Sequence, residues 1–301
     1  MRDKFSEVVF NISKKNKNIV VVAADISPSG KMAKFQKGSS SFINVGVAEQ
    51  SMIGVCAGLA IGGMTPFAYT IATFSLYRPF EMIRNDLCYQ NLPVTIVGMG
   101  SGTTYSTLGG THLSTEDISI ARSIPNMRII APCDPLELED AVNFCCKNKT
   151  SPIYLRIGKS GEKNYSNNSN EKWTFGKIRK IINGNDTCIL TYGPIIKLAF
   201  EVKNKINEKI SIYSCHTLKP FDKSRIKIIM KKYKKIIILE DHSKIGGLSE
   251  MTLAEGYKNK YKGKIIPFSL KDEFINCYGS QSNLQEKHGI SVTKIIKSLK
   301  K

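Results

Sequence analysis

Short apolar runs alternating with amphipathic stretches predict an α/β fold of two domains, each a mostly parallel sheet flanked by helices. Three observations carry this. Runs such as IVVVAA (19–24), VTIVG (94–98) and PIYLR (152–156) are short and rich in β-branched residues, as strands buried on both faces are. Segments with apolar positions at helical spacing separate these runs. The 301 residues also suffice for two cores of ordinary size.

Taken in order, Phe5, Val8, Val9 and Ile12 place a helix over residues 2–15, and the run 19–24 is a strand ending at Asp25. A helix from about Ala48 to Ile61, a strand around Phe67–Tyr69, a helix from about Tyr77 to Gln90 and a strand over 94–98 continue the alternation. A Gly/Ser/Thr-rich loop, GMGSGTTYSTLGGTH, fills 98–112, and Ser114 with Asp117 forms a capping box for the next helix. A strand over 128–131, a helix from about Leu136 to Cys145 and a strand over 152–156 complete the first domain, residues 1–160. Residues 158–175 lose the apolar period, so 161–175 reads as a linker. In the second domain, 176–301, strands fall at 187–192, 210–213 and 235–239, with helices at about 194–205 and 223–232.

Composition excludes several classes. With 42% hydrophobic and 23% charged residues the chain is that of a soluble globular protein. No apolar run reaches the roughly 18 residues of a membrane span, and no signal-like segment follows Met1, so a cytoplasmic protein is expected. Eight scattered cysteines offer no metal-ligand spacing and read as reduced thiols. Residues 1–150 hold 14 Lys/Arg against 12 Asp/Glu, a net of +2, and residues 151–301 hold 30 against 13, a net of +17. That excess is nearly all Lys interleaved with Ile and Asn, and no nucleic-acid motif accompanies it. Neither a nucleic-acid nor a membrane partner is expected.

Glu49 is the one carboxylate in the otherwise small and apolar run INVGVAEQSM (43–52). Alone, it reads first as an acid in the first turn of a helix, stabilised by the macrodipole. Phe74, Tyr77 and Phe80 recur at three-residue spacing in TFSLYRPF (73–80), a pattern that core packing also explains. His112 ends the Gly-rich loop and is open to a surface role or a proton-transfer role.

Together the chain resembles the thiamine-diphosphate enzymes of the transketolase group, in their pyrimidine-binding plus C-terminal domains. The pieces are VGVAEQ (45–50), TFSLYRPFEMIRN (73–85), GGTH (109–112) with STED (114–117), PNMRIIAPCDP (125–135) and PIYLR (152–156). In the second domain TLKPFD (217–222) and EDHSKIGGL (240–248) continue the likeness. The resemblance implies that Glu49 bonds N1′ of the cofactor's aminopyrimidine, favouring the tautomer that generates the thiazolium ylide. It implies that Phe74 and Tyr77 pack on that ring, with Phe80 nearby. His112 would line the substrate channel, moving protons or binding sugar hydroxyls. Arg156, Ser29 and Arg2 would bind a substrate phosphate.

Two departures matter. Where the family carries an Asp before its GPTH run, this chain has Leu108, which cannot accept a hydrogen bond from a substrate hydroxyl. A further family histidine is replaced within MGSG (99–102). A deoxy, branched or otherwise modified sugar is therefore expected. The chain also lacks the GDG motif that holds the diphosphate and Mg2+ in the family. The expected partner is an N-terminal transketolase subunit carrying that domain and its Mg2+, in an α2β2 assembly that shares thiamine diphosphate between subunits. The alternatives are a 2-oxo-acid dehydrogenase beta subunit, a deoxyxylulose-phosphate synthase fragment and a non-catalytic interaction subunit.

Overall fold

Seven strands form the first sheet in the order β10-β5-β6-β4-β3-β1-β2, parallel throughout except for β10. They are β1 (Ile19–Ala23), β2 (Phe42–Asn44), β3 (Thr65–Ile71), β4 (Thr95–Met99), β5 (Arg128–Ile130), β6 (Ile153–Ile157) and β10 (Thr217–Lys219). This is a computed structural model, and it describes residues 1–26, 31–38, 41–206 and 209–300. Along β1, Ile19, Val21 and Ala23 join one hydrophobic cluster and Val20 and Val22 the other. Such alternation requires apolar cover on both faces, which explains the unbroken IVVVA.

That cover comes from helices α1 (Arg2–Ser13), α2 (Lys31–Gly38), α3 (Glu49–Ile61), α4 (Ala72–Leu76), α5 (Phe80–Met82), α6 (Asp117–Ser123) and α7 (Pro135–Lys147). The helix expected over 77–90 is instead broken. Pro79 has no N–H and disfavours helix at the residue before it, so α4 stops at Leu76 and the chain restarts as α5 and a π-helix, Ile83–Tyr89. The capping box expected at Ser114 and Asp117 does not form. The Ser114 hydroxyl instead accepts the Gly102 N–H at 2.8 Å, and Asp117 turns into the interior.

The second sheet, ordered β12-β11-β8-β9-β7, is parallel except for β7. Its strands are β7 (Arg179–Ile182), β8 (Thr187–Thr191), β9 (Ser211–Ser214), β11 (Lys235–Ser243) and β12 (Lys264–Leu270). Helices α8 (Ile196–Asn204), α9 (Lys223–Lys232), α10 (Leu248–Lys258), α11 (Gln281–Lys287) and α12 (Val292–Leu299) pack around it. All eight cysteines are free and all but Cys277 are buried.

The two domains are tightly joined. Strand β10, from the second, pairs with β5 of the first, and Ala131 N–H donates to His216 O at 2.8 Å. The segment 161–175 is docked, not slack: Asp134 accepts the N–H groups of Tyr165 and Ser166 at 2.7 and 2.6 Å, and Phe175 stacks on Phe144. At the centre of the seam Asp117 accepts Tyr154 Oη–H and Arg156 Nε–H, both at 2.8 Å. Arg156 also donates Nη2–H to the Asp241 carbonyl on β11 at 2.9 Å. This corrects the expectation that Arg156 binds a substrate phosphate. Its guanidinium is 2% exposed and committed to a buried carboxylate.

Replacing Arg156 by Met will strand the Asp117 charge and lower the unfolding free energy by about 3–5 kcal/mol, measurable by chemical denaturation. A pH dependence follows from His216, stacked on Trp173 with Nε2 lacking a hydrogen-bond partner among the described residues. Burial lowers its pKa below the ordinary 6.5, Glu137 opposing and Arg179 reinforcing the shift. The unfolded chain therefore takes the proton first, so this contribution is complete above about pH 6.5 and is lost as pH falls through it. His216→Phe will flatten that part of the stability profile below about pH 6.5.

Candidate active site

The chain passes from β1 to the edge strand β2 and then returns to β3 on the other side of β1, so the sheet order reverses between β1 and β3. Open α/β sheets place ligand sites at the carboxyl ends of the strands at such a switch point. Glu49 opens α3 just after β2, and Phe74 lies in α4 just after β3. The loop ending at His112 leaves the carboxyl end of β4.

Glu49 is 5% exposed. Among the described residues only Arg78 bonds it, donating Nη1–H to Oε1 at 2.8 Å. The same guanidinium lies 4.0 Å above the Phe74 ring centroid. Phe74 in turn meets the His112 ring edge to face at 5.2 Å, and Tyr105 stands 6.2 Å from His112. Lys159 Nζ covers Tyr105 at 4.9 Å, and Lys159 O accepts the Arg2 N–H at 2.9 Å. Glu49, Phe74 and His112 are thus brought into one row, with Arg2 at its basic end. Arg2 Nε is buried without a hydrogen-bond partner among the described residues, its nearest carboxylate oxygen being Asp3 Oδ1 at 3.7 Å.

Tyr77 continues the helical turn of Phe74, its N–H bonded to Thr73 O, whereas Phe80 follows the break at Pro79; both are partly buried against the second hydrophobic cluster. Tyr77 donates its hydroxyl to Glu116 Oε2 at 3.0 Å, and burial followed by the charges of Asp117 and Glu116 pushes its phenol pKa up, so it remains a donor. Ser29 lies outside the described residues. Leu108 is half-exposed on the loop before His112.

The loop is held where it starts. Thr103 donates N–H and Oγ1–H to the Asp241 carboxylate at 3.0 and 2.8 Å, and Gln281 donates to the same group at 3.1 Å. Gly102, at φ +64°, sits where any Cβ would collide with Asp241. Sequence reading missed Arg78, Tyr105, Glu116 and Asp241. The signal for Arg78 was a cation placed between aromatics in TFSLYRPF.

One flank of the crevice is open. Val47, Val55 and Ile61 around α3 are exposed, and a Cβ at Gly54 or Gly58 would meet nothing within 4 Å. Two clefts of about 420 and 430 Å³ run along the seam of the linker, α8 and α11 and share Pro194, Lys197, Glu201 and Gln281; the second reaches the site at Thr104 and Lys159. A buried carboxylate beside an aromatic ring suits a flat N–H donor, and Arg78 makes both contacts at once.

Comparison with known proteins gives a consistent picture. Residues 1–162 match the family described as transketolase, pyrimidine binding domain, and residues 176–295 match transketolase, C-terminal domain. A Methanocaldococcus jannaschii protein named as a transketolase C-terminal section is 33% identical over 99% of this chain and 95% of its own length. A Phocaeicola vulgatus protein named as one subunit of an apulose-4-phosphate transketolase is 28% identical over 99% of this chain and 95% of its own. A solved split-gene transketolase, described as an inactive beta4 tetramer, superposes with a TM-score of 0.88 at 28% identity, covering 99% of this chain and 96% of that one.

The anchoring of the loop yields a prediction. Thr103→Val removes a hydroxyl donor from the buried Asp241 carboxylate and will cost about 1–3 kcal/mol. Hydrogen exchange will register the same change as faster exchange across residues 98–112.

Proposed function

The chain belongs to the transketolase family, spanning its pyrimidine-binding and C-terminal domains, and we propose that it is the C-terminal subunit of a two-subunit transketolase. In this reading the complex moves a two-carbon ketol unit between sugar or sugar-phosphate substrates. The observation that carries the reading is that the buried Glu49 carboxylate and the Phe74 ring meet on one guanidinium, that of Arg78.

Thiamine diphosphate, the cofactor of this family, supplies when bound the carbanion chemistry that no side chain of this protein provides. The protein's own part is positioning and proton control. Glu49, fixed at the first turn of α3, shares a proton with the ring nitrogen presented to it, so neither is left unsatisfied in a water-poor crevice. Phe74 offers its face to the same ring. His112, with Nδ1 2.9 Å from Thr111 Oγ1, has Nε2 left to exchange a proton with substrate or to bond a hydroxyl. Tyr77, its hydroxyl held by Glu116, would extend the aromatic wall that Phe74 begins, with Phe80 nearby. Arg2 and Lys159 form the positive end of the row and suit a substrate phosphate.

The diphosphate and its Mg2+ are assigned to a partner chain, since the sequence has no GDG motif. The open flank of α3 beside Glu49 supports this assignment, because exposed Val47, Val55 and Ile61 with bare glycines form a surface another chain can cover closely. The Phocaeicola vulgatus relative, named as one subunit of its transketolase, supports an enzyme of more than one chain, and the inactive tetramer of the solved relative supports a chain that needs its partner. An α2β2 assembly in the cytoplasm fits this reading. Leu108 in place of the family Asp favours a sugar other than the common pentose phosphates.

The chain alone will show no ketol transfer, and the pair reconstituted with an N-terminal subunit will. In that pair Glu49→Ala will lower the rate by about 10²–10⁴-fold. A rate unchanged by Glu49→Ala would instead mark a non-catalytic subunit, and decarboxylation of a 2-oxo acid in place of ketol transfer would mark a dehydrogenase component. For the substrate, Leu108→Asp will shift kcat/KM toward xylulose 5-phosphate by about 10- to 100-fold, the worth of one substrate hydroxyl hydrogen bond.

A further inference from the structure

The geometry points to Arg78 as a built-in stand-in for the cofactor's pyrimidine, holding its seat between Glu49 and Phe74 until the ring displaces it. This rests on the cofactor reading above. Arg78 makes the two contacts a flat protonatable ring would make there. It donates one N–H to Glu49 Oε1 at 2.8 Å and holds its guanidinium carbon 4.0 Å from the Phe74 ring centroid. Two planar groups cannot occupy one aromatic face at van der Waals distance, so the ring and the guanidinium exclude each other.

The burial of the partners decides which one moves. The Glu49 side chain is 6% exposed and fixed at the start of α3, whereas the Arg78 side chain is 47% exposed and reaches in from solvent. Arg78 also sits in the break between α4 and α5, where Pro79 prevents a continuous helix from carrying its side chain away from Glu49. When it leaves, its charge returns to water at little cost. Glu49 could not be left behind alone, because an unpaired buried carboxylate is expensive. The contact thus keeps the acid paired and the aromatic face covered in the empty chain, and it makes ring binding an exchange that lowers apparent affinity by the fraction of chains with the seat open.

The test uses the full chain, with 4-amino-5-hydroxymethyl-2-methylpyrimidine as probe in a ligand-detected NMR titration. Arg78→Ala and Arg78→Met, the second preserving the length of the side chain, are each expected to bind the probe at least about tenfold more tightly than the unmodified chain. Methylguanidinium, the excised end of Arg78, is expected to compete with the probe on Arg78→Ala and to have no effect on Arg78→Ala combined with Glu49→Ala. Equal, weaker or undetectable probe binding by both variants overturns the proposal, and weaker binding would make Arg78 a residue that positions Glu49. The cofactor reading has its own test in ketol transfer by the Glu49→Ala pair. A loss there, without tighter probe binding here, keeps that reading and removes the stand-in.

Discussion

The buried carboxylate of Asp117 is the group on which the arrangement of the molecule turns. It sits at the start of α6, fully buried from bulk solvent, and it draws in the Ile118 N–H, the Tyr154 hydroxyl and the Arg156 guanidinium. Arg156 carries the connection to the backbone of β11, and the side chain of the same β11 residue, Asp241, grips Thr103. A charge in the first domain is therefore linked, through three further residues, to the origin of the loop that ends at His112. Any rotation of one sheet against the other would strand at least one of these buried charged or polar groups, which is far costlier than losing a surface ion pair. The rigidity behind the crevice is electrostatic as much as apolar.

The other side of the crevice is built differently. Glu49, Arg78, Phe74, His112 and Tyr105 touch in sequence, but Arg78 and His112 retain contact with solvent. A firm wall thus faces a yielding one. Under the proposed two-subunit reading this suits a half-site, where one side is fixed in shape and the other adapts to a ligand and a second chain.

Much of the fold was legible because its signals are local. Strands buried on both faces write themselves as uninterrupted β-branched runs, and β1, β4 and β6 fall where those runs fall. Pro79 was equally visible, and the helix drawn through it ignored a residue that cannot donate to the ladder. Other features had no local signal. The three residues of β10 are too few to show a period, and their partner strand is almost ninety positions away, as Thr217 pairs with Ile130. Ser114 carried the chemistry of a cap, yet its hydroxyl found a loop amide across the chain, a choice only tertiary structure makes. Arg156 illustrates the same limit in the site. A guanidinium in a motif reads as an anion receptor, and the anion it receives here is a carboxylate of its own protein. Glu49, Phe74 and His112 could be grouped because their motifs occur together in a known family, whereas the contacts of Arg78 with Glu49 and Phe74 appear only in the folded chain.

The pairing of β10 with β5 has a consequence for how the molecule comes into being. As the chain emerges from a ribosome, residues 19–157 can assemble six strands of the first sheet, but the outer side of β5 has no neighbour until Thr217–Lys219 appears. During that interval Ile129 and Ile130 border an unpaired edge, the kind of template on which nascent chains stick to one another. The first sheet thus takes its last strand from the second domain, and synthesis must run past two-thirds of the chain before β5 is covered.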